Sequence, residues 1–197
     1  VEILPAELPV EPAVWFVEPD RSLLVLGSSQ SDGVVDHLRC AAAGVTVTRR
    51  RSGGGAVLLE PGQCVWAEVV VPAGNERWDH DVVRSAFWLG EAVQRALGTG
   101  EVHRSRLVSS VWSSAVCFAG LGPGEVTVEG RKVAGISQRR TKAATRMQLA
   151  VLGRWDAERL CSLMRLGDAA VLDLDAVATG VDLTTFVERF GDEIASL

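Results

Sequence analysis

Glu125 to Arg140 reads EVTVEGRKVAGISQRR, and its pattern decides how the rest of the chain is arranged. Glu125 to Val128 alternates polar residues with valine, and Lys132 to Gln138 resumes as a second extended run. Glu129-Gly130 between them provides the glycine that a tight two-residue turn needs for positive φ. The stretch therefore predicts a β-hairpin with Lys132 just past its turn. Only Lys132 and Lys142 among the 20 basic residues are lysine. A compact ammonium meets a small anionic or acyl group end-on, which a planar guanidinium does poorly. Lys132 is thus a candidate functional residue, although a lysine at a strand end also serves as a plain solvated group.

Upstream of the hairpin, after a Pro-bearing lead-in, AVWFVEP and SLLVLG are two apolar runs separated by Pro19-Asp20, which predicts a pair of neighbouring strands. Ser31 is placed to cap a helix running to Ala43, with Gly44 as its stop. Val45 to Thr48, Ala56 to Leu59 and Cys64 to Val71 read as strands. The best helical pattern runs from about Asp81 to Leu97 and ends at Gly98. Asp79 to Asp81 reads as its N-terminus rather than as a metal site. His103 to Val108 and Val116 to Phe118 read as short extended segments, and Thr145 to Leu152 as a strand. Asp156 and Asp182 are positioned to cap two C-terminal helices, the second from Leu183 to the end.

Length and composition favour one domain: 47% of the 197 residues are hydrophobic and 23% charged, enough to bury a core without a disordered tract. A net charge of -5 argues against nucleic-acid binding by the whole molecule. No apolar run is long enough to span a bilayer, and VEILPAELPVEP has no basic n-region. These features predict a soluble cytoplasmic protein. The cysteines at 40, 64, 117 and 161 have no CxxC spacing and the three histidines are isolated, which predicts neither a metal site nor a histidine-based triad. Trp66, Trp78, Trp88, Trp112 and Trp155 read as packing residues, Trp112 also as a border of the pocket mouth.

A second informative stretch is Arg49 to Val57, RRRSGGGAV. Three glycines in a row let backbone N–H groups approach a ligand closely, although a flexible hairpin loop has the same letters. In an extended segment Arg50 faces opposite to Arg49 and Arg51, so one guanidinium can enter a pocket beside the glycines. Neither a Walker loop nor a dinucleotide fingerprint is present. A glycine turn, a guanidinium and the Lys132 ammonium together suit a carboxylate held against an α-phosphate. Arg139, Arg140 and Lys142 form a further basic cluster, suited either to steering an acidic carrier domain or to a solvated loop.

RRRSGGGAV together with GRKVAGISQRR at Gly130 to Arg140 resembles the two signature stretches of the biotin/lipoate protein ligase superfamily, closest to lipoate-protein ligase A and related octanoyltransferases. VLGSSQ at Val25 to Gln30 and Ala115-Val116-Cys117-Phe118 also fit, in the family's order, so the resemblance spans about Val14 to Leu152. The biotin branch is disfavoured, because it carries a GRGRxGR-type loop where this chain has RRRSGGG.

The resemblance implies an α+β fold, with a central mixed β-sheet and flanking helices, of the class II aminoacyl-tRNA synthetase/biotin synthetase type. It implies a catalytic domain over residues 1–152, with 153–197 as its C-terminal helical part. The implied activity attaches lipoate or octanoate to a lysine of a lipoyl carrier domain or glycine-cleavage carrier protein. A ligase does so through an acyl-adenylate, with ATP, Mg²⁺ and lipoate as substrates, and a separate accessory protein is an expected partner. Lys132 would touch the acyl carbonyl and phosphate. Arg50, Ser52, Gly53, Gly54 and Gly55 would line the acyl and nucleotide pocket, flanked by Ser137 and Gln138. Lys132→Ala is expected to abolish acylation and leave the fold intact.

The chain departs from the family pattern in two places. Arg146 to Ala150 lacks the usual His-Gly pair, and Gln63 stands where many members have asparagine. Two alternatives follow. One is ATP-independent octanoyl transfer, which needs a thiolate and has Cys117 as its candidate, a residue that burial habits favour as a core cysteine between Val116 and Phe118. The other is a non-catalytic acyl-binding paralogue that kept the pocket.

Overall fold

A computed structural model of the chain describes residues 8–174, 180 and 182–196. The first seven residues of the lead-in and Leu197, at the end of the last expected helix, lie outside that description. The chain forms an α+β fold around two sheets. In order, the elements are β1 (Ala13–Val17), β2 (Leu23–Leu26), α1 (His37–Ala42), β3 (Thr46–Arg49), β4 (Val57–Leu59), β5 (Cys64–Pro72) and α2 (Val82–Leu97). They continue with β6 (Glu101–Val102), β7 (Val126–Val128), β8 (Arg131–Arg140), β9 (Ala144–Leu152), α3 (Ala157–Leu163), α4 (Asp168–Asp173) and α5 (Leu183–Ala195).

The larger sheet has six strands in the order β1-β5-β9-β8-β7-β6, every pair antiparallel. The smaller has the order β3-β2-β4, with β2 parallel to β3 and antiparallel to β4. The mixed character of the fold resides in this small sheet. Strand β5 is apolar at every position but Glu68, which pairs with Arg146, because both its faces are covered. Val65, Ala67, Val69 and Val71 pack against Leu89 and Val93 of α2 and Phe186 and Phe190 of α5. Cys64 and Trp66 face the other way, onto Val25, Val57 and Leu59 of the small sheet. Beyond the small sheet, α1, α3 and α4 close a further apolar cluster on Leu24 and Leu26. No helix among the described residues is long and apolar enough to cross a membrane.

The hairpin forms as the sequence dictates. Glu129 (φ 51°) and Gly130 (φ 76°) both take positive φ, the two-residue turn that matches the twist of β7 and β8. Helix α2 starts at its Asp81 cap, whose Oδ1 accepts from Val83 N and Arg84 N at 2.8 and 3.0 Å. It stops at Gly98, left-handed at φ 70°.

Four expectations are corrected. β1 and β2 are not neighbours: β1 pairs with β5 and β2 sits in the other sheet, because apolar runs of equal character do not encode their partners. The helix expected from Ser31 splits in two. Ser31 caps a single 3₁₀ turn (Asp32–Val34), and Asp36 caps α1 through Arg39 N. Between them Val35 makes an isolated bridge to Met164, which the local pattern cannot announce. Neither expected extended segment is a strand: the strand is Glu101–Val102, just ahead of the first, while Val108 and Val116 each make one bridge and Cys117–Ala119 coils into a 3₁₀ turn. Helix α4, begun at Gly167, lies between the two expected C-terminal helices.

Candidate active site

The site lies between the two sheets, where the glycine loop after β3, the turn at Cys117 and the middle of β8 converge. Its backbone is assembled by close approaches that only glycine permits. A Cβ on Gly27 would come 1.9 Å from Gly54 O, and one on Gly55 would come 2.4 Å from Val116 C and 2.6 Å from Cys117 N. Ala56 and Val116 bridge the same two segments: Ala56 N donates to Ala115 O at 2.7 Å and Cys117 N to Ala56 O at 3.0 Å. Gln30 adds a third tie, donating from Nε2 to Ser114 O and Ala115 O at 3.0 and 2.9 Å. Gly55 therefore serves first to bring Cys117 against the loop, and Gly27 lets the loop at Gly54 close on the end of β2. A Cβ on Gly53 would meet open space.

Arg50 faces inward and Arg49 and Arg51 do not, as the alternation requires. Its guanidinium is turned onto the loop itself. Nε donates to Ser52 Oγ at 3.1 Å, Nη1 to Val25 O at 3.3 Å, and Nη2 to Gly53 O and Gly55 O at 2.7 and 2.8 Å. Burial pulls this guanidinium below its ordinary range, with the neighbouring Cys117 acting in the opposite sense. Arg50 both lines the site and holds the glycine loop in shape. Arg50→Met strands those acceptors, so it is expected to cost about 3 kcal/mol of stability, read as a lower denaturant midpoint.

Lys132 is almost fully buried and finds three acceptors. Nζ lies 2.8 Å from Glu125 Oε2, 2.9 Å from Cys117 O and 3.1 Å from Gly120 O. It also stands 5.1 Å above the centre of the Phe118 ring and 3.9 Å from Cys117 Sγ. Burial alone disfavours its charge, but Cys117 and then Glu125 outweigh that and hold Lys132 above the usual lysine range. Glu125 is fixed in turn, accepting from Ile136 N at 3.0 Å on Oε1 and from Gly122 N at 2.6 Å on Oε2.

Ser52 and Ser137 meet at 2.9 Å between their hydroxyls, and Ser52 also donates to Gln148 Oε1. On the strand where a His-Gly pair was looked for, Gln148 is the side chain facing the site. Gln138 is a correction. It points to the opposite face of β8, where Oε1 accepts from Ser85 Oγ and Nε2 donates to Val82 O, both at 2.9 Å. Adjacent strand residues cannot share a face, so Ser137 and Gln138 cannot both flank one pocket. Arg140 is likewise occupied, stacked on Trp78 and donating to Ser85 Oγ and Asp79 O. Trp112 donates its indole N–H to Asp173 Oδ2 at 3.0 Å.

Three residues of the site escape a reading of the sequence. Glu125 looks like one polar position in an alternating strand, and Gln148 like a strand residue, until their partners are known. Gly135 leaves the room in which lysine and cysteine meet, since a Cβ there would lie 3.0 Å from Lys132 Cε, 3.3 Å from its Nζ and 3.5 Å from Cys117 Sγ. Its φ is not positive, so alanine is conformationally allowed and only the crowding matters. Gly135→Ala is expected to cost about 1 kcal/mol of stability and to lower any activity that uses Lys132 or Cys117 by about tenfold or more. Unfolding curves and rates measured on the same preparation check both.

The space enclosed by Arg50, Trp66, Cys117, Gly135, Ser137 and Gln148 has a volume of about 10 Å³, room for about one water molecule. An acyl chain entering here has to displace side chains, of which Trp66 has a buried indole N–H without a hydrogen-bond partner among the described residues.

This architecture is that of the lipoate ligases. The chain superposes on protein Ta0514 from T. acidophilum with bound lipoic acid at a TM-score of 0.71, 17% identity, over 94% of this chain and 71% of that one. It superposes equally on a lipoate-protein ligase A bound with ATP, with TM-score 0.71, 18% identity and 94% and 72% coverage. A bi-partite lipoate protein ligase from Thermoplasma acidophilum, described with its E2 lipoyl domain, gives TM-score 0.71 at 20% identity, over 94% of this chain and 70% of that one. Residues 4–192 match the lipoyl protein ligase A/B catalytic domain family, and the chain belongs to that family. In sequence it is similar to octanoyltransferase LipM of Clostridioides difficile (strain 630), 24% identical over 161 residues. That match takes in 79% of this chain and 59% of the relative's length.

Proposed function

We propose that the chain transfers an octanoyl or lipoyl group from a thioester donor to a carrier-domain lysine through a covalent thioester on Cys117. The observation that carries this reading is the apposition of a partly exposed Cys117 Sγ and the Lys132 Nζ at 3.9 Å, on a backbone held close by Gly55. The reacting form of a cysteine is the thiolate, and Lys132 and Arg50 set positive charge beside the sulfur.

In the first half-reaction the Cys117 sulfur attacks the donor carbonyl carbon. The new C–S bond forms as the donor's C–S bond breaks, and the donor thiol leaves with the proton that Cys117 gave up. In the second, the carrier lysine amine attacks the acyl carbon, a C–N bond forms, and the Cys117 sulfur departs and recovers a proton from the amine. A thioester-to-thioester step conserves acyl energy, so ATP is not consumed. Lys132 is held by Glu125 and two carbonyls so that its charge faces the sulfur and the developing oxyanion without reorganisation.

Acyl-adenylate formation from lipoate with Mg-ATP is the competing reading, supported by the likeness to ligases of this fold. The test is mass spectrometry of the chain and of a lipoyl domain after incubation with octanoyl-carrier protein, or with lipoate and Mg-ATP. An acyl adduct on the Cys117 peptide without ATP supports transfer. AMP release with carrier acylation and no such adduct would establish the ligase, and binding of either acid without carrier acylation would establish a non-catalytic acyl-binding protein.

A further inference from the structure

Residues 103–125 connect β6 to β7 and contain Arg104 and Arg106, while their one carboxylate, Glu125, is buried against Lys132, in a chain whose net charge is -5. The same connection turns large apolar side chains to solvent: Leu107 is 65% exposed, Val108 55% and Val111 81%. Such a cluster of apolar side chains beside arginines is a marker of an interaction site. The loop that presents it is firmly built. Val108 and Leu121 exchange both backbone hydrogen bonds at 2.9 Å, and Ser110 and Ser113 donate to Ala119 O at 2.9 and 3.0 Å.

The same loop reaches the site. A Cβ on Gly120 would come 2.8 Å from Ser113 Oγ and 3.2 Å from Val108 O, so the two segments are in close contact. Gly120 O in turn accepts from Lys132 Nζ at 3.1 Å, and the loop continues through Val116 into Cys117. In the basic cluster of Arg139, Arg140 and Lys142, Arg140 is already engaged, bound to Ser85 and Asp79 and stacked on Trp78.

We propose that residues 104–111 form the docking face for a carrier domain whose surface is acidic around an apolar centre. Arg104 is already paired with Glu91 and lies over the Phe87 ring, so carboxylates of the partner meet Arg106, and its apolar side chains cover Leu107 and Val111. The identity of this partner rests on the acyl-transfer reading. In a reaction through one thiol, donor and acceptor carriers visit Cys117 in turn, so a single face serves both.

The test compares binding with chemistry in the full chain. Calorimetry measures binding of octanoyl-carrier protein to the unaltered chain, Arg106→Glu and Val111→Asp, and mass spectrometry follows acylation of Cys117 by octanoyl-N-acetylcysteamine, a small thioester without a carrier. Both variants are expected to bind the carrier about tenfold or more weakly, with acylation by the small thioester within about twofold of the unaltered chain. Arg106→Glu should in addition flatten the salt dependence of binding. Carrier binding unchanged in both variants, absent in the unaltered chain, or lost in step with small-thioester acylation overturns the proposal. So does a homodimer that Val111→Asp dissociates without weakening carrier binding, since a second copy then covers the patch. Patch-dependent carrier binding with no acyl-Cys117 from either thioester upholds the docking face and removes the thioester chemistry instead.

Discussion

Cys117→Ala is expected to leave carrier acylation from a thioester donor at background, a loss of at least about 10³-fold, because removing the nucleophile removes both half-reactions at once. The variant should fold normally. Cys117 is only partly buried, its backbone N–H bond to Ala56 O is untouched, and one sulfur atom is removed from a site that already borders a small cavity. Its stability is therefore expected to stay within about 1 kcal/mol of the unaltered chain. Cys117→Ser keeps the shape and replaces the thiol by a hydroxyl that does not ionise near neutral pH, so it should be inactive while trapping no thioester. Acylation assays with octanoyl-carrier protein, alongside mass spectra of the protein, read both outcomes. Undiminished acylation of the carrier by Cys117→Ala would remove sulfur from the pathway and leave the adenylate as the activated intermediate.

Lys132→Met should also abolish transfer, but with a second effect that changes how the first is measured. Glu125 is buried with Lys132 as its charged partner at 2.8 Å, and breaking such a pair from one side strands the other charge. A cost of about 3 to 5 kcal/mol is expected. The expectation that removing this lysine spares the fold is therefore revised by the burial of its partner, and rates have to be normalised to folded protein. Lys132→Met with Glu125→Gln removes both charges and should recover most of the stability and none of the activity, which separates the two roles. Because the folded protein holds Lys132 above the ordinary lysine range, the stability it contributes is fully present below about pH 10, where an unfolded lysine titrates, and is lost as pH rises through the higher folded value. Unfolding midpoints should be level through neutral pH on this account and decline only in strong alkali. That alkaline decline should be missing from the double variant. Full activity in folded Lys132→Met would remove the ammonium from the mechanism.

Much of the fold was legible because its signals are local. The hairpin is announced by Glu129-Gly130, α2 by the Asp81 cap, its apolar stripe and Gly98, β5 by a run apolar but for Glu68, and β9 by Met147, Leu149 and Val151 alternating on one face. The errors occur where one long-range contact overrides the local pattern, as when Val35 bridges Met164 and splits an expected helix. The same divide runs through the site. Residue type and pattern singled out Lys132, Arg50 and the three glycines, and the family resemblance added Ser52, Ser137 and Cys117. They could not say that Arg50 spends its donors on the loop, that Gln138 faces α2, or that Glu125 closes on Lys132.

By itself, then, the sequence determined the α+β class, the hairpin, the principal helix and the side chains from which a transfer site can be built, because capping, alternation and glycine conformation act over a few residues. Only the tertiary structure decided which of those side chains meet. Cys117, Lys132, Glu125 and Gly135 come from two segments on either side of the Glu129-Gly130 turn. Their apposition depends on the pairing of β7 with β8 and on backbones that approach within contact distance at Gly55 and Gly120. Whether a lysine is solvated or a buried cation beside a thiol is set by what packs over it, and that is a property of the assembled sheets.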